Sequence, residues 1–196
     1  MNSQTIRIII LSGSPRKGSV SLRIARHLVK RFQEITHVTV RLVAMQEDSL
    51  PPIQEVWKQA ASVPTDKQEI FQAMDQAHGI IVVSPEYNGG YSPALKNFLD
   101  HFPKSAYHRK AWGIVTGSTG AMGGMRASQQ LQLLGAALSA IICPRMLITP
   151  HMDQKFDEAG ELLDQSFDRQ IDDFLANYLW LLTRLTAEVG ETGSQD

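Results

Sequence analysis

The chain of 196 residues holds a single cysteine, Cys143. No intrachain disulfide can form, so a disulfide scaffold is excluded and a reducing compartment is the simple expectation. Ile141, Ile142 and Pro144 flank Cys143, and this apolar setting reads as a buried core thiol rather than a nucleophile. An excess of charge of either sign is also lacking. The formal net charge is −1, and a field that weak draws in neither nucleic acid nor an anionic membrane. No apolar run is long enough to span a bilayer. The N-terminus shows no secretory-leader pattern, because a strand begins by Ile6 and Ser12 and Gly13 interrupt its apolar run. We expect a cytoplasmic protein with no nucleic-acid and no membrane partner. His78, His101, His108 and His151 show no metal-ligand spacing; we read them as surface or helix-end residues and expect no metal site. Internal repeats are absent too.

What is present is an alternation of two hydrophobic periods. Strands are expected at Ile6–Leu11, Ile80–Ser84 and Ala111–Thr116, with weaker signals at Val38–Val43 and Met146–Ile148. Gly79-Ile80-Ile81-Val82-Val83-Ser84 is apolar without alternation, the pattern of a central parallel strand buried on both faces. Helical spacing covers about Ser19–Phe32, Thr65–Ala77, Ser92–His101, Met125–Ser139 and Glu158–Leu185. A short helix is expected near Glu55–Ala61, inside a Pro- and Gln-rich stretch. Strands alternating with helices imply right-handed crossovers and a parallel sheet covered on both faces. The spacing predicts one α/β domain over residues 1–185, a doubly wound five-stranded sheet of order 2-1-3-4-5 in three layers, with a frayed tail at 186–196. Ligands in such sheets bind beyond the carboxyl ends of the strands, where the order reverses.

Three loops meet on that rim. The first, Ser12–Ser21, joins a strand to a helix and is rich in hydroxyls and glycine. It lacks the glycine spacing of the dinucleotide fingerprint. Gly13 and Gly18 stand at P-loop spacing, but Ser19 and Val20 occupy the places of the required Lys and Ser/Thr. Nucleotide triphosphate hydrolysis is therefore not expected. A site for one monophosphate is left, built from Ser14, Arg16, Ser19, Ser21 and backbone N–H groups at a helix start; the same serines could simply cap the helix. The second loop is Ser84-Pro85-Glu86-Tyr87-Asn88-Gly89-Gly90, with an aromatic surface at Tyr87 and an Asn-Gly pair suited to positive φ. The third, Thr116–Gly124, is glycine-rich and lets backbone approach a flat ligand.

These motifs resemble the NADPH-dependent FMN reductases, a flavodoxin-like family that includes quinone, azo-dye and chromate reductases. The resemblance rests on Gly13-Ser14-Pro15-Arg16-Lys17-Gly18-Ser19, on Pro85-Glu86-Tyr87-Asn88-Gly89 followed by Leu95-Lys96-Asn97, and on Gly117–Gly124, and extends over about residues 5–140. It implies that Ser14, Arg16, Ser19, Val20 and Ser21 bind the FMN phosphate. It also implies that Pro85, Glu86, Tyr87, Asn88 and Gly89 line the isoalloxazine ring with Ser118, Thr119, Gly120 and Gly123. Ser21 stands where the family often has Asn, and Pro15 where it often has Leu.

The resemblance further implies a hydride passing from NADPH or NADH to FMN, then electrons to a quinone, azo, flavin or metal-oxyanion acceptor. The cofactor carries that chemistry, so no catalytic side chain is expected. Backbone N–H groups from Thr119–Gly124 or Glu86–Gly89 could face the part of the ring that gains negative charge. Arg126 could pair with a nicotinamide phosphate or be a solvated helix arginine. A homodimer or dimer of dimers is implied, with Leu95, Phe98, Leu99 and Phe102 as a candidate apolar face. A flavodoxin-type electron carrier without nicotinamide activity is the rival reading; such carriers are usually strongly acidic, unlike this chain. A phosphate-sensing receiver domain is excluded by Leu11-Ser12-Gly13, where an acidic cluster would be needed.

Overall fold

The computed structural model describes residues 5–191. The elements in chain order are β1 (Ile6–Ser12), α1 (Val20–Gln33), β2 (Val38–Ala44), α2 (Gln68–Gln76), β3 (Gly79–Pro85), α3 (Pro93–Asp100), β4 (Ala111–Gly117), α4 (Met125–Ala137), β5 (Ile141–Ile142), β6 (Leu147–Thr149) and α5 (Asp168–Glu191). The strands form one parallel sheet in the order β2-β1-β3-β4-β5, with β6 also paired to β4. This is the expected three-layer α/β fold. Side chains alternate across the central strands. Ile8, Ile10, Ile81 and Val83 pack with α1 and α5, whereas Ile9, Leu11, Ile80 and Val82 pack with α2, α3 and α4. Both faces of β1 and β3 are therefore buried, and the site-bearing strand ends are fixed from both sides.

The helix starts follow from local chemistry. Ser19 caps α1 by accepting from Leu22 N. Ser92 caps α3, and Pro93 occupies the first turn, where its missing N–H costs nothing.

Four expectations need correction. The fifth strand, expected at Met146–Ile148, is split into β5 and β6. Between the pairs Trp112↔Ile142 and Val115↔Leu147, β4 advances three residues while its neighbour advances five. Pro144 lies in the excursion, where the chain needs no ladder N–H. The long final helix begins at Asp168, not Glu158. Residues before it form a loop tied by Asp157 N–H to Glu161 O, by Glu161 N–H to Asp157 Oδ1, and by a bridge between Phe156 and Leu162. That loop meets α1 through the Arg23–Glu158 and Lys30–Glu161 ion pairs, so these charges serve tertiary contacts rather than a helix surface. The expected helix near Glu55–Ala61 is instead a strap across α3, with a single 3-10 turn at Ala60–Ser62. Asn97 pins the strap by accepting from Ile53 N and donating to Leu50 O and Pro51 O. Trp57 buries its ring against His101 and Phe102. Finally, Leu95, Phe98, Leu99 and Phe102 are all buried in the chain's own core, so they form no face for a partner.

Helix α5 runs to Glu191, past Thr186, where the tail was expected to begin; residues 192–196 lie outside the described residues. Among the described residues no helix is long and apolar enough to cross a membrane.

Candidate active site

The first, second and third loops leave the carboxyl ends of β1, β3 and β4, and the segment after β6 joins them. Together they enclose a cleft of about 210 Å³ lined by loop residues 14 and 16–21 and by Pro85, Tyr87, Thr119 and Met152. Arg16 and Lys17 supply positive charge there, and no acidic side chain lines it. Among the described residues, the backbone N–H groups of Lys17, Gly18, Ser19, Val20 and Ser21 meet no acceptor within the chain. Those of Val20 and Ser21 are the first two of α1, which a helix cannot satisfy internally. Free amides, a positive helix end and two cations converge at one spot, and a phosphate dianion matches that donor set.

Ser14, Ser19 and Ser21 are buried around this cradle. Ser19 Oγ and Ser21 Oγ are hydrogen-bonded at 3.0 Å. Ser14 Oγ is hydrogen-bonded to Tyr87 Oη at 2.8 Å. The Arg16 guanidinium lies 4.0 Å from the Tyr87 ring centroid, within cation–π range. Loops one and two are thus stitched together across the cleft.

The second loop is a two-residue hairpin. Tyr87 N–H donates to Gly90 O and Gly90 N–H to Tyr87 O, with Asn88 at φ 51° and Gly89 at φ 84°. Two consecutive positive φ values define a type I′ turn, which Asn-Gly adopts readily. Among the described residues, the Asn88 and Gly89 amides have no acceptor. The Glu86 side chain turns away from the cleft. Its Oε2 accepts from Arg126 N at 3.1 Å and Ala127 N at 3.5 Å, and Oε1 pairs with Arg126 at 3.5 Å. Glu86 therefore caps α4, whose own N-cap residue is Gly124 and whose first turn holds no acid. Gln130 Nε2 adds a bond to Gly89 O.

The third loop is clasped to the segment after β6. Ser118 N–H donates to Thr149 O, His151 N–H to Gly120 O, and Met152 N–H to Ser118 O. His151, at φ 46°, also bonds Thr119 O through Nδ1 at 3.1 Å.

Of the residues proposed from sequence, Ser14, Arg16, Ser19, Val20, Ser21, Pro85, Tyr87 and Thr119 line the cleft together. Asn88, Gly89, Ser118 and Gly120 lie in the bordering loops but outside its lining. Gly123 is buried, and a methyl there would sit 2.7 Å from Pro150 N; it packs the loop against the segment after β6. Sequence reasoning missed Met152, although its place just beyond the fifth strand's carboxyl end is the signal that identifies the other three loops.

The model of the NADPH-dependent FMN reductase family matches residues 6–154. A quinone reductase of Escherichia coli (strain K12) is 27% identical over 174 residues, covering 83% of this chain and 88% of that protein. An NADPH azoreductase of Bacillus sp. (strain OY1-2) is 23% identical over 156 residues, covering 80% and 83%. Among solved structures, FerB, a flavoenzyme NAD(P)H:(acceptor) oxidoreductase from Paracoccus denitrificans, superposes with a TM-score of 0.75 at 18% identity, covering 91% of this chain and 98% of that one; at that identity the likeness speaks for the fold. The family match spans the three loops and the strands that carry them, and the chain belongs to the NADPH-dependent FMN reductase family of flavodoxin-like oxidoreductases.

Proposed function

We propose that the cleft holds FMN with its phosphate in the first loop and its ring between the second and third, and that the protein is an NADPH-dependent reductase of small quinone, azo, flavin or metal-oxyanion acceptors. The observation that carries this reading is the acid-free cradle at the start of α1, with free amides at 17–21 and the Arg16 and Lys17 cations. It suits a single phosphate monoester. FMN bound there supplies the hydride and electron transfer between NADPH and the acceptor.

The protein's part is binding, orientation and electrostatics. Arg16 and the amides fix the phosphate. Pro85 and Tyr87 present a stiff, partly aromatic wall. The amides of Asn88 and Gly89, and of Thr119 to Met122, which have no acceptor among the described residues, are donors for ring oxygens and for negative charge that develops on the ring. Thr119 and Met152 border the ring end, where nicotinamide and acceptor would enter in turn. A homodimer or dimer of dimers belongs to the reading. Its surface is not α3; the third loop and the start of α4 carry the exposed apolar side chains Met122 and Met125. A cytoplasmic setting belongs to it as well, supported by the buried lone thiol of Cys143.

Anaerobic stopped-flow mixing of the FMN-loaded protein with NADPH and with NADH tests the proposal. Bleaching of the flavin absorbance by NADPH, restored by a quinone or azo acceptor, is expected. An FMN-loaded protein that neither nucleotide bleaches is an electron carrier and refutes the reductase assignment.

A further inference from the structure

Arg126 stands where the second and third loops meet. Its side chain is 68% exposed, whereas that of its partner Glu86 is 13% exposed. Glu86 spends its charge on two α4 amides as well as on the guanidinium. A methyl group at Gly89 would lie 3.6 Å from Arg126 Cδ, so the arginine stem runs along the hairpin tip. Glu86 is the one side-chain acceptor for this guanidinium among the described residues. A guanidinium carries five donors in a planar fork, and most of these face solvent at the rim.

The other cations near the rim are committed elsewhere. Arg16 and Lys17 line the phosphate cradle. Arg23 donates to Phe156 O and pairs with Glu158. Arg26 donates to Glu158 O. Lys155 pairs with Asp164. Arg126 is thus the cation that lies against the second loop, two residues beyond the end of the third.

We propose that Arg126, held in place by Glu86, binds a phosphate of the nicotinamide dinucleotide while the nicotinamide ring lies in the cleft. The inference rests on the reading above, that FMN occupies the cleft and NADPH is the reductant. A dinucleotide that inserts its ring between the second and third loops leaves its charged phosphates at the rim, in water. A guanidinium fork matches a phosphate bidentately. Glu86 orients the fork without burying it, and sharing the carboxylate with the α4 amides leaves part of the arginine's charge for the ligand.

The test is equilibrium binding of NADP+ and NAD+, both inert toward oxidised FMN, to the FMN-loaded protein by titration calorimetry. Flavin content is measured on each sample. Arg126→Gln is expected to weaken NADP+ binding by at least about tenfold, the range for a charge-assisted contact. Arg126→Lys, which keeps a point charge but loses the fork, should lose less. A loss confined to NADP+ assigns the contact to the 2′-phosphate, and an equal loss for NAD+ assigns it to the pyrophosphate. Arg126→Gln protein with normal flavin content that binds both nucleotides as tightly as the parent overturns the assignment of Arg126 alone. A parent protein that takes up no FMN overturns the underlying reading and this inference with it.

Discussion

Substituting Glu86 separates what its charge does from what its oxygen does. Helix α4 has a left-handed glycine, Gly124, at its N-cap, no capping side chain of its own and no acid in its first turn. Glu86 reaches it from the second loop and receives the Arg126 and Ala127 amides. Glu86→Ala removes the cap, worth about 1 kcal/mol. It also removes a carboxylate at the positive helix end, worth about 0.3–1 kcal/mol. The ion pair to Arg126 adds little, because that side chain is 68% exposed. The total is a loss of about 1.5–2 kcal/mol, or a fall in Tm of roughly 3–8 °C for a domain of this size. Glu86→Gln keeps an acceptor oxygen and forfeits only the charge, so it should cost under about 1 kcal/mol. Urea unfolding of the three proteins, with equal m-values, gives the comparison directly. If Glu86→Ala is as stable as the parent, or Glu86→Gln is as damaging as Glu86→Ala, the capping account is wrong.

Two further outcomes follow from other parts of the molecule. Burial lowers the pKa of His27 against the opposing bond to Gly160 O, and burial followed by the Arg7 and Lys110 charges lowers that of His78. Both therefore favour the neutral form in the fold: their contribution is complete above the unfolded value of about 6.5 and falls as pH drops below it, levelling off once the folded pKa is passed. Stability measured from pH 8 down to pH 5 should decline in that window, and the decline should shrink in His27→Gln/His78→Gln; an identical slope in the double variant contradicts the assignment. Gly124→Ala puts a side chain at φ +84°, 2.8 Å from Thr116 Cβ and 3.0 Å from Gly117 N. The left-handed strain alone is about 1–2 kcal/mol, so thermal unfolding should shift down clearly, and an unshifted Tm would show that the loop yields freely.

The parts of this fold that are legible in the sequence are those fixed by neighbours in the chain. The unbroken apolar run at Gly79–Ser84 marks β3, and Ser19 and Ser92-Pro93 mark the starts of α1 and α3. The proposed phosphate cradle is legible for the same reason, since its donors lie within residues 14–21. The rest depends on distant partners. Glu86 finds its amides 40 and 41 residues further on, and no local pattern distinguishes an acid aimed at a ligand from one aimed at a helix end. The stretch at 158–167 carries helical spacing, yet Glu158 and Glu161 are taken by α1, Asp164 by Lys155, and its backbone by Asp157 and Asp164. Apolar spacing on α3 shows that Leu95, Phe98, Leu99 and Phe102 share a face but not whether sheet or partner covers it; the strap pinned by Asn97 and Trp57 completes that burial.

Titration of the flavin-free protein with FMN, and with riboflavin as the same ligand lacking its phosphate, tests the central claim most directly. The account predicts that the parent binds FMN far more tightly than riboflavin, and that Arg16→Ala weakens FMN by about 1–3 kcal/mol, roughly tenfold to a hundredfold, with a much smaller effect on riboflavin. Equal affinity of the parent for the two flavins, or an FMN affinity indifferent to Arg16→Ala, would contradict the assignment of the first loop as the phosphate site.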